Sequence, residues 1–142
     1  MKTKFTPVVK FRQNKLGEIE LALNNAIANE NTLKSRLERA RELLSSEPFP
    51  KNGDFSSLQI ALSTHALLVS QIDELKQKII ETNKKISKLQ NEYKSAYIEL
   101  EKVKYLQNNE IKEILKQRAK IASKELDEIA TQRFYALNKV DA

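Results

Sequence analysis

Along the first third of the chain, apolar residues recur at alternating steps of four and three. The stripe reads Val9, Arg12, Leu16, Ile19, Leu23, Ala26, Glu30, Leu33, Leu37, Ala40 and Leu44. Nine of these eleven are apolar, which is the a/d spacing of a coiled-coil seam and not the alternation of a half-buried strand. A second stripe reads Leu58, Ala61, His65, Leu68, Ile72, Leu75, Ile79, Thr82, Ile86, Leu89, Tyr93, Ala96, Leu100 and Val103, with twelve of fourteen apolar. From Leu100 to Ile111 the step is eleven residues, so the pattern predicts a stutter there. It then runs on loosely through Ile114, Leu115, Ile121, Ala122, Leu126, Ile129 and Leu137.

The two stripes are separated by SSEPFPKNGDFSS, residues 45–57, which holds two of the three prolines (Pro48, Pro50) and one of the two glycines (Gly53). Each proline disfavours the helical region for the residue before it, so Glu47 and Phe49 close the first helix. Asn52-Gly53 supplies a turn, and Asp54 or Ser56 can accept the free N–H groups of a new helix. The pattern therefore predicts an all-α chain, a single antiparallel two-helix coiled-coil hairpin over residues 1–142. Its parts are a helix at about 7–46, a bend at 47–54 and a much longer helix at about 55–138. The helices would measure about 58 Å and about 125 Å. Counting back from the bend sets Val8 near Lys94 and leaves the second helix without a partner from about Ala96. Leu23, Leu33, Leu37, Ile72, Ile79 and Ile86 should be among the most buried residues.

Composition removes most chemistry. There is no cysteine, hence no disulfide or thiolate metal site, and His65 has no second histidine with which to share a metal. Two glycines cannot build a phosphate-cradling loop. Carboxylate pairs such as Glu99 with Glu101 and Asp127 with Glu128 fall on solvated faces with no pocket to shift their pKa values. No catalytic residue, cofactor or metal is expected, and the chain reads as a non-enzyme. The N-terminus has five cations before its first acid, Glu18, and no apolar run of a signal peptide or membrane span, which points to the cytoplasm. The net charge of +6 is concentrated in patches at Lys2 to Lys15 and Lys112 to Lys124. Such patches suit an acidic protein surface as well as phosphate. With no helix-turn-helix or aromatic-basic pattern, nucleic acid ranks behind a protein partner.

The basic start with Phe5, Val8, Phe11 and Lys15, the loop with Gly53, and the closing segment RAKIASKELDEIATQRF (residues 118–134) resemble the FliJ family of the bacterial flagellar export apparatus. Nearly the whole chain takes part, and Lys124 to Ile129 is its most specific piece. The resemblance implies a cytoplasmic coiled-coil stalk, monomeric alone and held at the inner face of the membrane through its partners. Those partners are the export ATPase ring, the gate protein FlhA and export chaperones. Aligned from the loop glycine, the family's gate-binding face falls on His65, Val69, Ile72 and Lys76, although members carry an aromatic at the first position and a histidine at the last. If the terminal half enters the ring, Val8, Val9, Phe11, Arg12, Lys15, Ile129, Arg133 and Phe134 are its contacts. A dimeric scaffold or spacer and a prefoldin-like chaperone are the alternatives. The latter would need a strand-rich segment between matched helices.

Overall fold

The computed structural model of the chain describes residues 1–46 and 53–141. It contains two helices, α1 (Thr6–Ser46, 41 residues) and α2 (Phe55–Asp141, 87 residues), and no strand among the described residues. They form the antiparallel hairpin that the seams predict, with α2 much the longer. The bend residues Glu47, Pro48, Phe49, Pro50, Lys51 and Asn52 lie outside the described residues.

Both helix starts are capped by side chains, as the orphan N–H groups of a first turn require. Thr3 Oγ1 accepts from the Phe5 N–H at 3.1 Å, and Thr6 Oγ1 accepts in return from the Thr3 N–H at 2.9 Å. Pro7 has no N–H to offer the Thr3 carbonyl, which instead accepts from the Thr6 N–H at 3.1 Å. For α2 the cap is Asp54, whose Oδ1 accepts from the Ser57 N–H at 3.1 Å and the Ser57 hydroxyl at 2.8 Å. These two bonds favour the ionised carboxylate and hold the Asp54 pKa below its ordinary value. The four ion pairs among the described residues, Glu30–Lys34, Glu74–Lys78, Glu99–Lys102 and Glu101–Lys104, set the glutamate N-terminal to the lysine, the favourable order.

The helices fall into two compact units, residues 15–96 and residues 1–14 with 97–142. In the first, Leu37, Ala40 and Ile72 form the core, with Leu44, Leu75 and Ile79 packed against it. Ala26, Leu33 and Leu68 are also buried, whereas Leu23, Ile79 and Ile86 are only half-buried. Thr82, the polar exception in the second stripe, is buried and donates its hydroxyl to the Lys78 carbonyl at 2.8 Å. The acid in the first stripe, Glu30, reaches Lys34 at 2.7 Å.

The unit of residues 1–14 and 97–142 corrects three expectations. Residues 1–14 pack with the stretch from Tyr97 onward, and Gln107 Nε2 donates to Thr6 Oγ1 at 3.1 Å, so Val8 does not meet Lys94. The first described turn of α2 is exposed, Leu58 included, so α2 begins before its pairing with α1 does. There is also no stutter after Leu100. Val103, Gln107, Glu110 and Ile114 continue the four-three rhythm, all half-buried, with Lys104 and Ile111 beside them. Leu100 itself is the deepest of the described residues, 4% exposed. Every residue from Leu115 to Lys139 is exposed, so the uncovered stretch of α2 begins near Leu115 and not near Ala96.

Candidate interaction surfaces

Three stretches expose more apolar surface than a solvated helix needs. The first is the N-terminal part of α1, where Val8 and Phe11 are exposed while Val9 and Arg12 are half-buried. The Arg12 guanidinium stands 6.0 Å from the Phe11 ring centroid, and its buried Nε has no hydrogen-bond partner among the described residues. Lys15, exposed, is the first residue of the other unit. The second stretch is the uncovered part of α2. Leu115, Ile121, Leu126, Ile129, Phe134, Tyr135 and Leu137 are between 48% and 67% exposed, and Arg133 is exposed among them. Phe134 and Tyr135 stack edge to face, with centroids 6.5 Å apart. Ile129 lies 22 residues beyond Gln107, the α2 residue bonded to Thr6, which is about 33 Å along the helix. The two groups of expected ring residues are therefore far apart and form two patches, not one.

The third stretch is the start of α2, which periodicity alone did not single out. Phe55 to Ile72 is eighteen residues without one Asp, Glu, Lys or Arg, in a chain that is 31% charged. Phe55, Leu58, Leu62 and Val69 recur along one side of it and are all exposed. The gate stripe inherited from the resemblance overlaps this segment but is divided by the fold. Val69 and Lys76 face solvent and His65 is half-buried, whereas Ile72 is 7% exposed and belongs to the core with Leu37 and Ala40. Ile72 can support such a surface only from beneath. The absence of charge was the signal available in the sequence for this patch.

Among the described residues no group of three or more His, Cys, Asp or Glu comes together, and no helix is long and apolar enough to cross a membrane. No curated protein and no solved structure matches the chain. A family does: the pattern described as Flagellar FliJ protein matches residues 1–139, essentially the whole length. With two unequal antiparallel helices on one seam, the chain belongs to the FliJ family, coiled-coil proteins of flagellar export.

Proposed function

We propose that this FliJ-family chain is a non-enzymatic stalk of the flagellar type III export apparatus. It works in the cytoplasm, at the inner face of the membrane through its partners, and is monomeric when alone. The uncovered end of α2 and the N-terminal turns of α1 enter the export ATPase ring, and the start of α2 contacts the gate protein FlhA. Handling of export chaperones accompanies these contacts. The observation that carries this reading is the run from Leu115 to Lys139, in which seven large apolar side chains lie open on a stretch of α2 whose every residue is exposed. An apolar surface of that extent on a single chain marks a protein interface, and aromatic and arginine anchors carry most of the energy in such interfaces. Phe11, Arg12, Arg133 and Phe134 are the anchors, with Val8, Val9, Lys15 and Ile129 around them. At the gate face Val69 and Lys76 make the contact, His65 flanks it and Ile72 supports it.

The test measures stimulation of the cognate export ATPase, and capture of the cytoplasmic part of FlhA, by wild type and two variants. Arg133→Glu with Phe134→Ala should abolish stimulation and keep FlhA capture, and Val69→Asp with Lys76→Glu should do the reverse. A wild-type chain that neither binds nor stimulates the ATPase ends the stalk reading. Variants that act like wild type end only the assignment of residues.

A further inference from the structure

Within residues 15–96 the two helices enclose an open groove of about 340 Å³ on one side of the hairpin. Its floor is apolar, formed by Ala40 and Leu43 of α1 and Leu75 of α2. Ala40 is buried and Leu75 half-buried, but Leu43 is 48% exposed, one turn from the most tightly packed part of the seam. The rim is cationic: Arg36 and Arg39 stand on α1, and Lys78 on α2. Glu74, the acid of the rim, is bridged to Lys78 at 3.2 Å. Neither arginine forms an ion pair among the described residues.

That pair of arginines stands exposed on one side of α1. Like charges three residues apart on a helix repel, and no carboxylate among the described residues lies within ion-pair distance of either arginine. A guanidinium keeps its charge at any physiological pH and matches a carboxylate with two parallel hydrogen bonds. The positive field extends along the same side, where the next opening is lined by Asn25, Asn29 and Lys85. Together the two openings are lined by Arg36, Arg39, Lys78 and Lys85 against one acid, Glu74.

A trough between two antiparallel helices, with an apolar floor and a rim of net positive charge, has the form that accepts a third helix lying lengthwise. We propose that this groove binds an acidic amphipathic helix of a partner protein. Leucine-type side chains at i, i+3 and i+7 of that helix rest on Ala40, Leu43 and Leu75, and its carboxylates meet Arg36 and Arg39. The site is separate from the gate stripe, because at 100° per residue Lys78 lies about 160° round α2 from Lys76. It also does not depend on the stalk reading, since no residue of the uncovered end takes part.

The experiment uses the full chain and a fluorescein-labelled 21-residue synthetic helix, with leucine at its a and d positions and glutamate beside them. Its counterpart carries lysine in place of each glutamate. Fluorescence anisotropy should show binding of the acidic helix that weakens with salt, and no binding of the basic one. Arg36→Glu with Arg39→Glu should weaken binding at least tenfold, as should Leu43→Asp. Arg41→Glu, round α1 from the groove, should leave it unchanged, with circular dichroism showing each variant folded. The proposal is overturned if the acidic helix does not bind or if the basic helix binds equally. It is overturned too if Arg41→Glu loses as much as the arginine pair, or if a single-stranded oligonucleotide occupies the groove as tightly, which would make it a phosphate site.

Discussion

A Cβ built on Gly17 meets nothing within 4 Å, and the residue has no positive φ, so packing gives no reason for a glycine inside α1. Glycine in a helix interior costs about 0.5–1 kcal/mol relative to alanine, mostly through the freedom it retains when unfolded. Gly17→Ala should therefore stabilise the chain by about that amount, visible as a thermal midpoint a few degrees higher. A lower midpoint would mean that the backbone there needs its freedom. Asp54 makes the opposite kind of prediction. Its carboxylate is held below the ordinary value of 3.8 by its bonds to Ser57, so the cap is complete above that pH and is lost as acid protonates it through the lowered value. Asp54→Ala should speed amide exchange at Ser57 and Leu58 near neutral pH. Acidification should bring wild type toward the variant, whereas a difference that persists in strong acid would mean that the carboxylate is not the cap.

At the scale of the helices, the seam decides stability. Leu37, 9% exposed and in the core with Ala40 and Ile72, should cost about 2–3 kcal/mol when cut to alanine. Ile80, 49% exposed one residue off the seam, should change urea unfolding by less than about 0.5 kcal/mol. Equal effects would mean that another face of α2 is covered. This contrast was legible in the sequence, because a four-three rhythm has few other readings: each seam position up to Val103 is buried or half-buried except Leu58. The register was not legible. It depends on how the chain turns between the helices, and counting back from the bend set Val8 some ten residues too early on α2. The polar seam positions were also missed. Gln107 and Glu110 look like breaks to a hydropathy reading; Gln107 finds a partner in Thr6, whereas Glu110 keeps a buried Oε2 with no hydrogen-bond partner among the described residues. The candidate surfaces were only partly legible, since an exposed leucine such as Leu43 or Leu126 has the same identity as a seam leucine. Exposure distinguishes them, and exposure is a property of the pairing.

For the whole molecule, the residue types pointed to surfaces as the place to look. Deleting residues 116–142 removes 26 of the 128 helical residues but no buried side chain among the described ones. The unfolding midpoint should hardly move, while helical ellipticity falls by roughly a fifth. A large fall in the midpoint would mean that the uncovered end contributes to folding and is not reserved for a partner. Stimulation of the export ATPase should disappear with the same deletion if that end is what the ring receives.

A seam whose deepest residue is still 4% exposed leaves a thermal signature. The chain keeps 11442 Å² in water, where a globular monomer of 16.4 kDa keeps about 7,500 Å². Unfolding therefore uncovers less new apolar surface per residue than melting a globule does. The heat-capacity change should fall below the usual ~12–15 cal/mol/K per residue, and the curve of stability against temperature should be correspondingly shallow. Cooling then weakens such a protein less than it weakens a compact one, because little of its stability comes from the large hydration term that fades in the cold.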